Sequence, residues 1–346
     1  AELFAWVEGR APRPQPGHAP VFRPVMLAHP LETENLDSLD WQATRAEWKY
    51  DGIRVQLVSS PAGRRLYSRN AEDISDAFHE IIAAMDVHAT LDGELLVIRD
   101  GEIAPFADLQ RRLGRKAVSA ATRAQYPAGI MLYDILFDGP EDLRPFSFDA
   151  RRARLEHWFA MHHPPRMSLS PLLAFTTRED LAALRATAST GAIEGLMLKD
   201  AQSPYLAGRP RGLWWKWKRD PRSLDAVLMY AQRGHGKRSS YYSDYTFGVW
   251  AESGELVPVA KAYSGYTDAE LTMIDRWVRA HTITQYGPVR EVEKSLVFEL
   301  GFDAAQASPR HKSGVALRFP RILRLRPDKS ADQADRLASI LAIIPP

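Results

Sequence analysis

EWKYDGIR at residues 47–54 places one lysine, Lys49, beside the acidic residues Glu47 and Asp51 and close to Gly52 and Arg54. A lysine side chain titrates near 10.4, so at pH 7 only about 0.04% of it is the neutral amine. Burial or a neighbouring cation raises that fraction, and the neutral amine can then attack an electrophilic phosphorus or carbonyl carbon. Taken alone, the octapeptide fits a solvated strand end and turn equally well. Its meaning therefore depends on the rest of the chain.

Six further blocks follow in order along the chain. They are SRN at 68–70, LDGELLV at 91–97, MLYDILFDG at 131–139, EGLMLK at 194–199, WWKWK at 214–218 and RFPRILRLRPDK at 318–329. With EWKYDGIR in front, the series resembles the motif order of the ATP-dependent DNA ligases, members of the covalent nucleotidyltransferase superfamily, over about residues 24–329. Each block is weak by itself, and it is their order that makes the resemblance specific.

The resemblance implies that Lys49 attacks the α-phosphorus of ATP, expels pyrophosphate and carries AMP as a phosphoramidate. The AMP then passes to the 5′-phosphate of a nick, and the 3′-hydroxyl displaces it. In steps of this kind a protein mainly positions the reactants and offsets charge. ATP is therefore the expected cofactor, nicked duplex DNA the expected partner, and DNA repair or replication the expected setting.

Five residues resemble the family's contacts to the base, sugar and phosphate. Glu47 matches the adenine-reading position and shares a strand face with Lys49, because side chains alternate along a strand. Tyr133 stands where the family often has phenylalanine and is expected to stack on the adenine, with Met197 on the other face. Arg54 and Arg69 resemble the sugar and phosphate contacts, since a planar guanidinium suits phosphate oxygens.

Two carboxylates resemble the acidic contacts of the family. Glu94 matches the ribose-binding carboxylate and Glu194 a metal ligand, and we assign both as candidate metal ligands, with Asp92 assisting. Carboxylate, water and phosphate oxygens suit Mg²⁺ better than nitrogen or sulfur donors do. The expected ion is Mg²⁺, with Mn²⁺ as the alternative.

The other candidates are cationic. Lys199, Lys216 and Lys218 resemble the phosphate-side lysines, and the last two share one face of a strand. Their charge is expected to favour the neutral form of the nucleophile. In the final block, Arg318 and Arg324 resemble residues that approach the pyrophosphate when a second domain closes.

Composition limits the class of protein. A chain of 346 residues exceeds the size at which a single core usually stops growing, so two domains are expected. The absence of cysteine excludes disulfides and thiolate metal sites and fits a reducing cytoplasm. No apolar run approaches the length of a membrane span. We expect a cytoplasmic monomer without a membrane partner.

The basic residues are unevenly spread, although the net charge is only +2. Residues 209–238 contain nine lysines or arginines against two acids, and residues 310–326 contain six and no acid. A single charge run is usually a solvated face. Two runs, one of them interleaved with three tryptophans at positions 214, 215 and 217, are instead typical of a surface that binds nucleic acid.

Strand and turn patterns predict three segments. Residues 1–20 contain four prolines and are expected to be a linker or the remnant of an upstream domain. Residues 21–221 predict an α+β nucleotidyltransferase (adenylation) domain on antiparallel sheets, with helices near 76–85, 148–161 and 178–188. Over residues 222–346 the patterns predict an OB-fold β-barrel with one inserted helix. A capping box from Thr267 to Glu270 indicates where that helix begins.

Two alternatives stay open. An RNA ligase or an mRNA-capping nucleotidyltransferase would share Lys49 and its pocket, and only the form of the last block favours a DNA ligase. A non-catalytic OB-type module that binds nucleic acid is the alternative from a different class, and the intact set of lysines and glutamates argues against it.

Overall fold

The computed structural model describes residues 10, 19–31, 36, 39–114, 118–188, 192–234, 236, 239–309 and 311–344. The chain divides between Arg219 and Asp220 into two compact units. Most of the segment predicted as a linker over residues 1–20 lies outside the described residues. The same holds for three members of the basic clusters, Lys237, Arg238 and Arg310.

The first unit is built on two sheets. Five strands form one sheet in the order β1-β12-β11-β2-β10, and a seven-stranded sheet follows the order β4-β3-β5-β7-β8, with β6 pairing with β5 and β9 with β7. Nearly all of these pairings are antiparallel, as predicted. The strands are β1 His29–Pro30, β2 Thr44–Tyr50, β3 Ile53–Ser60, β4 Gly63–Ser68, β5 Ala89–Arg99, β6 Glu102–Ile103, β7 Ala128–Asp138, β8 Glu141–Asp142, β9 Met167–Leu169, β10 Leu172–Leu173, β11 Ile193–Asp200 and β12 Trp214–Lys218.

Three of the described helices of the first unit begin at a serine or threonine cap. Ser147 caps the longest helix by accepting from the backbone N–H of Ala150, and Thr177 forms a capping box with Asp180. The predicted helix over 76–85 is shorter than expected, because the backbone leaves helical geometry at the fully buried Phe78. What remains is a 3₁₀ turn and helix α1. The helices are α1 His79–Ala83, α2 Phe106–Gln110, α3 Ala120–Gln125, α4 Phe148–His162 and α5 Arg178–Thr187.

Helix α4 is anchored to strand β7 by a buried ion pair. Arg151 donates from Nε and a terminal nitrogen to the two oxygens of Asp134 on β7, at 2.8 and 3.0 Å, and both side chains are 0% exposed. The same guanidinium donates to the carbonyls of Phe146 and Ser203. Four of the five N–H donors of this buried cation therefore have acceptors, which is the condition under which a buried ion pair is tolerated.

The second unit curls around one long strand. β13 pairs with β14 along one edge, while its other edge is shared by β18 over residues 222–227 and by β17 over residues 230–232. A strand with three neighbours forces the sheet to bend, as in a small barrel. The strands are β13 Arg222–Arg233, β14 Tyr242–Trp250, β15 Leu256–Ala262, β16 Thr282–Tyr286, β17 Val289–Val292, β18 Val297–Phe302, β19 Ala304–Ala307, β20 Val315–Arg318 and β21 Arg321–Leu325.

One amphipathic helix packs against the core of the second unit. The predicted capping box is present, with Thr267 and Glu270 bonding to each other's backbone N–H, and α6 spans Asp268–Ala280. Leu271, Ile274 and Val278 lie on its buried face. A short helix, α7 Leu337–Leu341, follows a 3₁₀ turn at Ala331–Gln333. Among the described helices of the whole chain, none combines the length and apolarity that crossing a bilayer requires.

We expect Asp134→Asn to lower the free energy of unfolding by about 3–5 kcal/mol, because it leaves Arg151 as an uncompensated buried charge. The matched control is Asp138→Asn. It removes a pair with Arg154 in which both side chains are more than a quarter exposed, and should cost under about 1 kcal/mol. Urea denaturation measures both. Equal losses in the two variants would contradict the assigned role.

Candidate active site

Strand register brings six of the predicted site residues onto one face of the five-stranded sheet. In antiparallel pairs, residues that lie opposite each other project to the same side, and every second residue shares that side. Three rows result on neighbouring strands β2, β11 and β12. They are Lys49–Gly195–Lys218, Glu47–Met197–Lys216 and Arg45–Lys199–Trp214.

A β-bulge adds Glu194 to the first row. The register shifts between Ile193 and Gly195, which turns the Glu194 side chain toward the lysines. Its Oε1 lies 2.5 Å from Lys49 Nζ and its Oε2 lies 2.6 Å from Lys218 Nζ. Burial would raise the pKa of Glu194, but the two ammonium groups outweigh it and lower that pKa.

Gly195 is required between these side chains. Its φ of +143° is a conformation that other residues rarely adopt, and a Cβ there would lie 2.3 Å from the carbonyl oxygen of Trp217. The glycine of the EGLMLK block therefore lets β12 approach β11 closely enough for Lys218 to reach Glu194.

The end of the face that carries Lys49 is strongly cationic. Burial lowers the pKa of the half-buried Lys216, and the nearby charges of Lys49, Lys218, Arg209 and Arg69 lower it further. Arg69 is exposed at the rim of this group. Several cations with one shared carboxylate make a receptor for a polyanion, which is the environment predicted for Lys216 and Lys218.

Lys199 lies in a different row from Lys216 and Lys218, and its predicted phosphate contact stays a prediction. It is 2% exposed, its Nζ is 2.5 Å from Glu47 Oε2, and it faces the rings of Tyr133, Phe148 and Trp214 at 4.6–4.8 Å from their centroids. Four residues of strand separate it from the Lys49 row, roughly 13 Å. Glu47 and the three rings compensate the charge of Lys199. The structure therefore does not group Lys199 with the phosphate-side lysines.

Glu47 is buried between two cations. Its carboxylate is 2% exposed, with Lys199 on one oxygen and Arg152 of α4 at 3.4 Å from the other. Sequence reasoning missed Arg152, because nothing in a helical pattern shows which strand an arginine will reach. The predicted adenine contact of Glu47 stays a prediction.

Arg54 is held by the protein rather than free. It donates to both oxygens of Asp92 at 3.0 and 2.6 Å, to the hydroxyl of Tyr205 and to the carbonyl of Met26. Burial would lower the pKa of Arg54, but the Asp92 carboxylate outweighs it and raises that pKa above the ordinary range. Asp92 is fully buried in this pair. Its suggested part in binding a metal stays a prediction.

Glu94 contrasts with its neighbour Asp92. It lies opposite Arg54 in the register of β3 and β5, yet within the described part of the chain its carboxyl group forms no hydrogen bond or ion pair. Burial, opposed by Lys49 and Arg54 and aided by Asp92 and Glu194, raises its pKa to about 8. Gly52 makes room for it, since a Cβ there would lie 2.8 Å from Glu94 Cγ.

The carboxylates fit Mg²⁺ bound together with phosphate rather than a closed protein cage. No group of three or more acidic, histidine or cysteine side chains converges within the ranges that the structure describes. Mg²⁺ often takes one or two carboxylates and completes its shell with water and phosphate oxygens. The charge of Glu194 contributes to the raised pKa of Glu94, and a cation bound between the two would favour the ionised form of both, which suits such a shared site.

Tyr133 and Met197 are both half-buried at this face. The Tyr133 hydroxyl donates to the carbonyl of Gly93 at 3.3 Å, and burial raises its pKa well above the ordinary value, so the ring stays neutral. Met197 packs beside a core cluster that includes Trp214. Stacking of either side chain on a base stays a prediction.

The cations of the last block are paired within the second unit. Arg324 is exposed and donates to Glu299 at 2.6 Å, while the half-buried Arg318 lies over the Phe319 ring at 5.2 Å. Arg326 contacts both oxygens of Asp225 at 2.9 Å, and Lys329 contacts one of them at 2.5 Å. Their predicted approach to pyrophosphate is not tested by the second unit alone.

Family models match most of the chain. Residues 25–218 match the model described as ATP dependent DNA ligase domain, and residues 238–329 match the ATP dependent DNA ligase C terminal region. The chain belongs to the ATP-dependent DNA ligase family. It is 39% identical over 343 residues to a probable DNA ligase of Koribacter versatilis, covering 92% of this chain and 59% of that protein. It is 34% identical over 306 residues to a DNA ligase of Haloarcula marismortui, covering 87% and 54%.

This ligase-family chain thus spans a little over half the length of those two relatives. Solved structures agree on the fold. Pmar-Lig_PreS3 superposes with a TM-score of 0.68 at 19% identity, covering 88% of this chain and 67% of that one. A structure from an analysis of Lig E DNA ligases gives 0.61 at 18%, covering 88% and 100%. The predicted α+β nucleotidyltransferase fold followed by an OB-type domain is confirmed.

We expect Gly195→Ala to lower the free energy of unfolding by more than Gly63→Ala. Both glycines have φ near +140°, so both variants carry backbone strain of about 1–3 kcal/mol. Only Gly195 adds a collision with the Trp217 carbonyl, whereas nothing lies within 4 Å of a Cβ at Gly63. Urea denaturation measures the difference, and identical losses would contradict the packing role.

We expect Glu94→Gln to become more stable relative to the wild type as pH rises from about 4.5 to about 8. Glu94 keeps its proton in the folded state up to about pH 8, whereas the unfolded chain releases it near 4.5. Wild-type stability is therefore lost across this window, by at most about 1.4 kcal/mol per pH unit, and glutamine removes the effect. Unfolding curves at pH 5, 6.5 and 8 test this. Parallel profiles would contradict it.

Proposed function

We propose that this chain seals 5′-phosphate/3′-hydroxyl nicks in duplex DNA with ATP, through an AMP carried on Lys49. The observation that carries the proposal is the Lys49–Glu194–Lys218 group beside Lys216, in which the amine of Lys49 lies within a cationic receptor. Such a receptor would bind the triphosphate, and Lys216 and Lys218 would offset charge on the leaving pyrophosphate.

The nucleophile must lose a proton before it attacks. Glu194 Oε1 lies 2.5 Å from Lys49 Nζ, so this contact has to open when the nucleotide binds. Glu194 would then be drawn to Lys218 or to a metal. Mg²⁺, or Mn²⁺ in its place, would be held by Glu194 and Glu94 and would neutralise phosphate charge.

The remaining assignments complete the proposal. Glu47, Tyr133 and Met197 would surround the adenine, and Arg69 would contact phosphate at the rim. Arg318 and Arg324 of the second unit would orient the pyrophosphate. The adenylation domain over 21–221, the OB domain over 222–346, a monomeric state and a cytoplasmic role in repair or replication belong to the same proposal.

We expect Lys49→Ala to form no AMP adduct with ATP and yet to seal a nick whose 5′-phosphate already carries AMP. The later steps do not use the amine as nucleophile. Intact-mass spectrometry after incubation with ATP or GTP measures the adduct, and gel separation of a labelled nicked duplex measures sealing. Lys294→Ala, which removes an exposed lysine of the second unit, is the control and should form the adduct normally.

Three results would count against the proposal. An adduct in Lys49→Ala would place the nucleophile elsewhere. A wild-type adduct with GTP and not ATP would favour a capping-type enzyme. No adduct with either nucleotide would favour a non-catalytic module.

A further inference from the structure

Two consecutive arginines at the start of α4 reach different sheets. Arg151 pairs with Asp134 on β7 of the seven-stranded sheet, and Arg152 faces Glu47 on β2 of the five-stranded sheet. Glu94 and Tyr133 lie on the first of these sheets, and Lys49 with its neighbouring lysines lies on the second. The helix therefore spans the two surfaces that the proposed nucleotide site combines.

The contact between Arg152 and Glu47 is built rather than incidental. The Arg152 side chain is 6% exposed, and its Nε donates to Glu156 at 2.6 Å, which orients the guanidinium so that a terminal nitrogen faces Glu47. Lys199 occupies the other oxygen of Glu47. The carboxylate is thus fixed from two directions, whereas a lone glutamate side chain would have several rotamers to choose from.

Glu47 keeps acceptor capacity in this arrangement. Each carboxylate oxygen offers about two lone-pair sites, and the contacts from Arg152 and Lys199 occupy about one on each. Glu47 stands in the row next to Lys49, opposite Met197. A group bound there would meet a fixed hydrogen-bond acceptor about 7 Å along the strand from the nucleophile.

We propose that Arg152 is a positioning residue that holds Glu47 as a fixed acceptor and thereby sets which purine the site takes. An acceptor at this place rewards a base that presents an amino group and penalises one that presents a carbonyl oxygen, because two acceptors facing each other leave both unpaired. Adenine is favoured over guanine at its six-position for this reason. The inference rests on the proposed function, since it takes the nucleotide bound at Lys49 as its subject.

The test compares Arg152→Gln with Arg154→Gln. Arg154 lies on the same helix, and its pairs with Asp138 and Glu141 are at the surface. Dissociation constants for ATP and GTP are measured by calorimetry, together with kcat and KM for the adduct. We expect Arg152→Gln to lower the ratio of ATP to GTP affinity by at least about tenfold, the size of one lost hydrogen bond to a charged group. KM for ATP should rise more than kcat falls. Arg154→Gln should keep the wild-type ratio.

If the role of Arg152 were purely structural, Arg152→Gln would weaken the binding of ATP and of GTP by the same factor. The ratio of the two affinities would then stay at the wild-type value, and that result overturns the proposal. Arg152→Lys keeps the charge without the planar fork, and a smaller drop in the ratio is expected. If Arg152→Gln does not fold, Arg152→Lys decides, and its wild-type ratio would overturn the proposal. If the wild type binds ATP but forms no adduct, the proposed function is refuted. The ratio of ATP affinity to GTP affinity in the variants then still tests the role of Arg152. A wild type that binds neither nucleotide refutes both.

Discussion

The pairing of β11 with β2 and β12 is the constraint on which the site depends. It places Lys49, Gly195 and Lys218 in one row, and the bulge before Gly195 turns Glu194 into that row. A slip of one residue would send the whole set to the opposite side of the sheet, because side chains alternate with a period of two. Glycine at 195 lets the strands approach, so backbone geometry, rather than any side chain alone, brings the carboxylate to both lysines.

Buried ion pairs then stabilise the seven-stranded sheet of the first unit and anchor helix α4 to it. Arg54 with Asp92 and Arg151 with Asp134 are bidentate pairs, and their remaining donors reach carbonyl oxygens or a hydroxyl. Removing charges from water is costly, so such pairs persist only where nearly every donor is used. Glu94, without such a partner, has the raised pKa that this cost produces. Asp92 and Glu94 are both carboxylic acids on β5, and they differ in whether a cation is paired with them.

The cations of the second unit differ in how firmly they are held. Arg324 and Glu299 form a pair with an exposed guanidinium, and such pairs contribute little, so a phosphate could replace Glu299 at small cost. Arg326 and Lys329 share the largely buried Asp225, which binds Arg326 through both oxygens. Within one basic block, the ion pair of Arg324 is therefore easily exchanged, whereas the ion pairs of Arg326 and Lys329 are structural.

The sequence by itself determined the family, the α+β unit followed by an OB-type unit, and the nucleophile candidate, because ordered motifs and strand alternation are local properties. The capped helix at Thr267 was predicted for the same reason. Only the tertiary structure decided that Lys199 pairs with Glu47, that Asp92 is spent on Arg54, and that Arg152 reaches the site. These contacts join residues up to 152 positions apart in the chain, such as Lys199 and Glu47. A buried charged side chain pairs with the opposite charge that the fold places beside it. Packing decides which residue that is, and spacing along the chain does not.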